Sequence, residues 1–267
     1  MDYAVIGGDA RFAYLTRLLC GDDRDARAIN GMADGVPAVP WADESELPEA
    51  KTVVTNWPVP GGEEMLKRLL PGTRVFFCGP GEPEDIPEGL LWTDLWKDER
   101  LQVENAWLTA EGAVAAAMNA GVRSLRDCRC VVVGWGRIGR ALTEILIGMN
   151  ASVTVASRCP RGRNCALARG AEAVNTIELA DVLPGKKIIF STPPAQVLGE
   201  RELSKIDQDA LIIDVASAPY GVDFEAAKKH GLRAWVEAKL PGRYCPYSAA
   251  VALKKAIARA EGEMEDE

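Results

Sequence analysis

One short stretch constrains the fold more than any other, because a run of β-branched residues leads directly into three regularly spaced glycines. After Cys130–Val133 come Gly134, Trp135, Gly136, Arg137, Ile138 and Gly139, and apolar residues then recur at helical spacing. This order predicts a strand, a tight turn and a helix, the first half of a dinucleotide-binding unit. The first glycine permits the turn, the second lets the backbone approach a pyrophosphate, and the third lets the helix pack against the strand.

The residues that follow the motif supply the rest of such a unit. A second apolar strand is predicted at Ala151–Ala156, at the distance that a βαβ unit requires, and strand and helix patterns alternate through most of the chain. We therefore expect an α/β fold made of two doubly wound parallel-sheet domains, the second a Rossmann dinucleotide-binding domain. The alternative is an ordinary tight turn in another kind of α/β domain, because short glycine motifs also arise by chance.

The end of the second strand indicates which dinucleotide binds. Sites that prefer NAD usually carry Asp or Glu there, whereas this chain has Ser157 and Arg158. Arg158 is suited to pair with a 2′-phosphate, with Arg161 and Arg163 adding positive potential, so we expect NADP(H) rather than NAD(H). The alternative is that Arg158 is only a solvated loop charge. Small residues at the ends of two later strands complete the predicted cofactor site: Thr192, Pro193, Val215 and Ala216.

Composition disfavours several classes of partner. The 267 residues carry a formal net charge of −8, which argues against nucleic acid and acidic membrane surfaces. No stretch approaches the ~18 consecutive apolar residues of a membrane span, and the first residues do not resemble a signal peptide. We therefore expect a cytoplasmic protein with reduced thiols.

The histidine and cysteine content argues against a metal site. The chain has one histidine and seven cysteines, and no two cysteines form a Cys-x-x-Cys pair. The nearest two, Cys128 and Cys130, are expected on opposite faces of the strand that they begin. No metal is therefore predicted.

The N-terminus shows another strand–turn–helix pattern, in which two adjacent glycines follow the apolar strand Tyr3–Ile6. The spacing does not suit a pyrophosphate, but the helix start, with Arg11 in its first turn, is suited to a smaller anion such as a carboxylate. The alternative is that Arg11 is a surface charge and Asp9 an N-cap.

The predicted domain boundaries follow from a change in composition near Val103, where an alanine-rich helix begins. We expect an N-terminal α/β domain over residues 1–104, completed by a C-terminal helix at 247–264, and the dinucleotide-binding domain over residues 105–246. Three further predictions are a brief strand at Val36–Val39, a helix cap at Thr109 and a turn at Lys239–Gly242.

Few residues are available for acid–base chemistry. His230, the single histidine, lies at a predicted helix end and is not expected to be a catalyst. A ketone–alcohol reaction of the usual kind is therefore disfavoured, while hydride loss from a ring that becomes aromatic remains open. The other candidates for proton transfer are Glu111, Lys239, Tyr244 and Tyr247.

Several segments, spread over most of the chain, resemble one enzyme family. They are Ala4–Arg11, Thr109–Gly112, Gly134–Gly139, Ala156–Arg158, Ile213–Phe224 and Leu240–Gly242. In this order they resemble the family of dipicolinate synthase A subunits, which is similar in build to the D-2-hydroxyacid dehydrogenases. The resemblance implies NADP(H)-linked formation of pyridine-2,6-dicarboxylate from a dihydrodipicolinate-type precursor, together with a flavoprotein-like B subunit of the synthase, during sporulation.

The resemblance also implies a set of site residues and an assembly. A small cyclic dicarboxylate would be bound by Gly8, Asp9, Arg11, Ser217, Pro241 and Gly242, with Glu111 as the catalytic candidate. The chain would form a homodimer. The alternatives are another NAD(P)-dependent oxidoreductase on the same scaffold, or a non-catalytic nucleotide-binding partner protein.

Overall fold

The computed structural model describes residues 1–7, 9–29, 40, 42–79, 81, 83–121 and 123–262. The chain divides into two compact units, which we call unit 1 (Met1–Asn105 with Pro241–Glu267) and unit 2 (Ala106–Leu240). Residues 241–246 thereby fall in unit 1, whereas the predicted boundary left them in the second domain.

Unit 1 is a parallel sheet with helices packed on both faces. Its elements are β1 (Tyr3–Ile6), α1 (Ala10–Cys20), β2 (Ala26–Ile29), β3 (Thr52–Asn56), α2 (Gly62–Lys67), β4 (Arg74–Cys78), β5 (Leu91–Asp94), the start of α3 (Glu99–Ala120), α9 (Leu240–Tyr244), which begins at the unit boundary, and α10 (Pro246–Ala260). Among the described residues this sheet has five strands in the order β2-β1-β3-β4-β5, all parallel.

Alternate side chains of the strands supply two separate cores in unit 1. Phe76 and Phe77 of β4 are both fully buried but lie on opposite faces of the sheet, because side chains alternate along a strand. On the Phe76 face, α1 and α10 contribute Leu15 and Leu253 to one cluster. The C-terminal helix therefore packs on the sheet that the first residues form.

Unit 2 is a second parallel sheet with its own helices. Besides the rest of α3, its elements are β6 (Arg129–Val133), α4 (Arg137–Gly148), β7 (Ser152–Ala156), α5 (Pro160–Ala168), β8 (Glu172–Val174), α6 (Leu179–Val182), β9 (Ile188–Ser191), α7 (Glu200–Leu203), β10 (Leu211–Asp214), α8 (Phe224–Lys229) and β11 (Arg233–Val236). The six strands among its described residues run in the order β11-β10-β9-β6-β7-β8. Because β7 and β9 flank β6, the carboxyl ends of these three strands form the crevice in which such sheets bind ligands.

The predicted α/β class with a Rossmann domain is confirmed, but two local predictions are wrong. Thr109 is not a helix cap, since it is buried in the middle of α3. The helix starts earlier, where the Asp98 carboxylate accepts hydrogen bonds from the amides of Arg100 and Leu101 at 2.8 and 3.1 Å. The segment Lys239–Gly242 is not a simple turn, because it enters helix α9.

The sequence does not predict two edge strands of unit 1. β2 carries the partly exposed Arg27 within its four residues, and β5 has no fully buried residue. An edge strand has a neighbour on one side only, so its sequence carries a weaker apolar signal than that of a central strand. The strand predicted at Val36–Val39 lies outside the described residues.

Candidate functional site

The turn between β6 and α4 has the geometry that a dinucleotide requires. Gly134 has a φ of +99°, which side chains rarely adopt, and a Cβ atom there would lie 2.4 Å from the Thr192 hydroxyl oxygen. A Cβ atom at Gly139 would lie 2.3 Å from the carbonyl oxygen of Gly134, so helix and strand are in direct backbone contact. At Gly136, by contrast, a Cβ atom would meet nothing within 4 Å, which leaves the backbone open to a ligand.

The start of α4 is suited to an anion. This 12-residue helix begins at Arg137, and Gly136 provides no side-chain cap for the amides of its first turn. The aligned peptide dipoles favour negative charge at this end. The exposed amide end therefore suits the pyrophosphate of a dinucleotide.

A cavity of about 990 Å³ lies beside this turn, within unit 2. Of the predicted cofactor residues, it is lined by Gly134, Trp135, Gly136, Ser157, Arg158, Thr192 and Pro193. Among the described residues that line it, none carries a carboxylate and four are arginines: Arg140, Arg158, Arg161 and Arg169. The volume is sufficient for a cofactor, and the charge favours an anionic one.

Trp135 forms a fixed part of the cavity wall. The guanidinium carbon of Arg169 lies 5.8 Å from the centroid of the indole ring, and its Nε lies 2.7 Å from Oε1 of Glu144. On α5, Gly162 approaches the ring so closely that a Cβ atom there would lie 2.8 Å from Cδ1 of the indole. The indole is therefore held by α5 and by Arg169.

The loop after β7 presents Arg158 and is fixed by its neighbours. Ser157 is buried, and its hydroxyl oxygen accepts a hydrogen bond from the Cys159 amide at 3.2 Å. Arg163 donates to the carbonyl oxygens of Ser157 and Arg158, at 2.8 and 3.0 Å. Arg163 thus shapes the loop without lining the cavity, whereas Arg158 is exposed and forms no ion pair with any described residue.

The opposite side of the cavity is formed by the segment after β9. The Thr192 hydroxyl and amide both donate to the carbonyl oxygen of Val133, at 2.8 and 3.1 Å, which ties this segment to β6. Val215 and Ala216, which follow β10, are buried and do not line the cavity. Nor do Arg137–Gly139, which form the first turn of α4. The structure thus brings together seven of the twelve predicted cofactor residues.

In unit 1, Asp9 and Arg11 form a tight ion pair at the start of α1. The Asp9 carboxylate accepts from the Arg11 amide at 3.0 Å, which caps the helix, and from Nη2 of Arg11 at 2.6 Å. Burial opposes the charge of Arg11, but the hydrogen bond and the charge of Asp9 outweigh it and raise the pKa of the guanidinium. The N-cap alternative is therefore correct for Asp9, while Arg11 is only 20% exposed and is not a solvated surface charge.

Pro241 and Gly242 lie in the same unit as this ion pair. A Cβ atom at Gly242 would lie 3.1 Å from the carboxyl carbon of Asp9 and 3.2 Å from Nε of Arg11. The start of α9 thus passes directly over the pair. Three of the four predicted substrate residues of unit 1 that the structure describes are in close proximity, with Pro241 adjacent in the chain.

The remaining predicted residues lie in unit 2 or outside the described part of the chain. Glu111 and Ser217 are exposed residues of unit 2 and do not line its cavity. Gly8 lies outside the described residues. Nε2 of His230 lies 2.7 Å from Oε1 of Glu200 at the end of α8, and His230 does not line the cavity either.

The two nearest cysteines differ from the prediction. The thiols of Cys128 and Cys130 are hydrogen-bonded to each other. Side chains two residues apart in a strand share a face, so the expectation that they point to opposite faces is wrong. The bond lowers the pKa of Cys128 to about 7 and, together with burial, raises the pKa of Cys130.

Neither a metal cluster nor a membrane-spanning helix occurs among the described residues. In that part of the chain, no group of three or more His, Cys, Asp or Glu side chains is placed to hold a metal ion. None of the helices described is long and apolar enough to cross a membrane.

Three residues at the site were missed by sequence reasoning. Arg140 and Arg169 line the cavity, and Asp214 organises the loop after β10. Arg140 lies four residues after Gly136, on the helix face above the open turn, so helical spacing was a usable signal. Arg169 and Asp214 have no such signal, because their roles depend on packing between distant segments.

Comparison with known families decides the class of cofactor. Residues 93–226, half of the chain, match the family described as D-isomer specific 2-hydroxyacid dehydrogenase, NAD binding domain. The chain belongs to this family. The cavity of unit 2 is therefore a nicotinamide dinucleotide site, and the chain is in general terms an NAD(P)-dependent oxidoreductase.

Over its whole length the chain is similar to the A subunit of dipicolinate synthase. It is 27% identical to the protein of that name from Bacillus subtilis (strain 168), over 99% of this chain and 97% of the relative. Its fold is similar to crystal structures of the same protein from Bacillus halodurans (TM-score 0.81, 21% identity, 99% and 98% of the two chains covered) and from Bacillus subtilis (TM-score 0.80, 21% identity, 98% and 96% covered). The resemblance noted in the sequence is thereby confirmed.

Proposed function

We propose that the chain is the dehydrogenating subunit of a dipicolinate synthase, which uses NADP(H) to form pyridine-2,6-dicarboxylate from a dihydrodipicolinate-type precursor. One observation carries the proposal. A dinucleotide cavity whose described lining has four arginines and no carboxylate occurs in a chain that resembles this subunit over 99% of its length.

The charge of the cavity supports NADP(H) over NAD(H). A carboxylate after β7 would repel a 2′-phosphate, and Ser157 and Arg158 stand there instead. Arg158 and Arg161 line the cavity and form no ion pair with described residues, so their guanidinium forks are available to a phosphate. The pyrophosphate would be held by the backbone at Gly136. When bound, the oxidised cofactor supplies a hydride acceptor.

The side chains suit a reaction that demands little proton transfer from the protein. Loss of one hydride and one proton from a dihydropyridine dicarboxylate leaves an aromatic ring, so no catalytic histidine is required. Asp9 holds the guanidinium of Arg11 in one orientation, which supports its use as a carboxylate-binding group. The proposed substrate residues are Gly8, Asp9, Arg11, Ser217, Pro241 and Gly242, and the proposed proton acceptor is Glu111.

The assembly and the cellular setting form part of the same proposal. The chain would act as a homodimer with the flavoprotein-like B subunit of the synthase, in the cytoplasm of a sporulating bacterium. Similarity to a protein whose name makes it one subunit of a synthase supports a second, partner subunit. The seven free thiols support a reducing compartment.

The test is to supply the purified chain with the precursor, NADP⁺ and the B subunit. We expect pyridine-2,6-dicarboxylate and reduced nicotinamide to form in equal amounts, measured by chromatography and absorbance, and more slowly with NAD⁺. Absence of both products alongside an active control enzyme would contradict the proposed substrate. Turnover of a different cyclic imino acid would indicate another NAD(P)-dependent oxidoreductase, and cofactor binding without turnover a nucleotide-binding partner protein.

A further inference from the structure

A buried carboxylate at the end of β10 organises the loop that follows it. Asp214 is fully buried, and its Oδ1 accepts a hydrogen bond from the Ala216 amide at 2.9 Å. Its Oδ2 accepts from the amides of Gly221 and Val222, at 2.7 and 3.1 Å. One side chain thus closes the loop 215–221 onto its own strand.

The closed loop packs directly on the segment that lines the cavity. The Gly221 carbonyl oxygen accepts from the amides of Val197 and Leu198, both at 2.9 Å. A Cβ atom at Gly221 would lie 3.0 Å from the carbonyl oxygen of Pro193 and 2.1 Å from the hydroxyl oxygen of Ser191. A shift of the loop would therefore displace the cavity wall that contains Pro193 and Val197.

The strand order indicates which half of a dinucleotide this wall faces. β6 has β7 on one side and β9, then β10, on the other. Arg158 and Arg161, which follow β7, mark the side for the adenosine 2′-phosphate. A dinucleotide bound across the carboxyl ends of the strands must then extend its nicotinamide half toward β9 and β10.

We propose that Asp214 is a positioning residue for the nicotinamide half of the cofactor. It acts through Gly221, whose contacts fix Pro193 and the wall around it, and does not itself line the cavity. This inference rests on the proposed binding of NADP(H).

The carboxylate is required because three N–H groups converge on its two oxygens. Burial raises the pKa of Asp214, and hydrogen bonds from the three amides oppose that rise. In Asp214→Asn, the volume is unchanged but one oxygen becomes an NH2 group, which would face an N–H donor. The variant therefore loosens the loop without opening a hole in the core.

Binding of two ligands tests the inference. NADPH spans both halves of the cavity, whereas adenosine 2′,5′-bisphosphate carries only the half with the 2′-phosphate. For Asp214→Asn we expect the Kd of NADPH to rise about tenfold and that of the bisphosphate to stay within about twofold, both measured by calorimetry. The matched control is Asp207→Asn, which removes a carboxylate 2.9 Å from Nζ of Lys187 at the amino end of the same sheet. It should change neither Kd.

The outcomes separate this inference from the proposed function. If the wild-type chain binds neither ligand, the proposed use of NADP(H) fails and the inference fails with it. If it binds both, and Asp214→Asn weakens both equally or neither, the inference alone is overturned. Should Asp214→Asn not fold, as judged by circular dichroism, Gly221→Ala provides a second route, because its Cβ atom would push the loop away from Ser191. The same selective loss of NADPH is expected, and an equal loss of both ligands would overturn the inference.

Discussion

Gly139 packs directly against the carbonyl oxygen of Gly134: a Cβ atom built on Gly139 would lie 2.3 Å from that oxygen. Helix α4 thereby approaches β6 by backbone contact alone. Gly136, in the same motif, faces open space instead. One glycine is therefore required for folding and another for access of the ligand, and two substitutions separate these requirements.

Gly139→Ala should destabilise the protein although alanine favours helices. The clash forces α4 away from β6, so we expect the free energy of unfolding to fall by about 2 kcal/mol or more. Gly136→Ala should change it by less than about 1 kcal/mol, yet weaken NADPH binding about tenfold or more because the new Cβ atom occupies the approach of the pyrophosphate. Urea unfolding and calorimetric titration measure the two effects. Equal losses of stability in both variants would contradict these roles.

Arg158→Glu should reverse the cofactor preference. A carboxylate there repels a 2′-phosphate, so we expect the Kd of NADPH to rise about 100-fold while that of NADH changes by less than about threefold. Arg201→Glu, at an exposed position on α7 outside the cavity, alters the net charge equally and is the matched control. Tryptophan fluorescence titrations with both cofactors report the ratio. Parallel losses for NADPH and NADH would show that Arg158 is only a solvated loop charge.

The cofactor domain is predictable because its requirements are met by residues close together in the sequence. The glycine motif predicts the turn, and the position of Arg158 follows from the length of one βαβ unit. Arg169 is not predictable in this way. It reaches the cavity because α5 ends beside Trp135, and that packing depends on residues far from either.

The N-terminal unit is less predictable from its sequence. The strand Leu91–Asp94 is specified by its pairing with β4 rather than by its own apolar pattern. At the start of α1, a helix cap and an anion site both call for Asp9 and Arg11, so the sequence alone does not distinguish them. The distances between the two side chains do, because Asp9 caps the helix and also pairs with Arg11.

Glu261→Gln should destabilise unit 1. The carboxylate is 6% exposed, accepts from the Tyr3 hydroxyl at 2.7 Å and pairs with Arg24 and Arg74 at 3.3 and 3.0 Å. Loss of its charge leaves two arginines without this partner, so the free energy of unfolding should fall by about 2 kcal/mol, allowing for the partial exposure of both arginines. Glu225→Gln, on the exposed surface of α8, should change it by less than about 0.5 kcal/mol. Denaturant unfolding compares the two, and equal values would contradict a stabilising role for Glu261.

The Cys128 thiol should make the protein more stable as the pH rises from 7 to 9. The hydrogen bond with Cys130 lowers the pKa of Cys128 to about 7 from an ordinary value of 9.0. Between these values the folded state has lost a proton that the unfolded state keeps, so the free energy of unfolding increases with pH, and this contribution disappears as the pH falls through 7. Cys130, whose pKa is raised, keeps its proton in both states across this window.

Cys128→Ser should therefore remove this pH dependence, which we expect to amount to about 1 kcal/mol after solvent screening. Urea unfolding of wild type and variant at pH 7 and pH 9, in the presence of a reductant, measures the difference. Cys159→Ser, which replaces an exposed thiol, is the control and should retain the increase seen in the wild type. If Cys128→Ser gains as much stability as the wild type between the two pH values, the thiol does not ionise in this range, because serine has no proton to lose there.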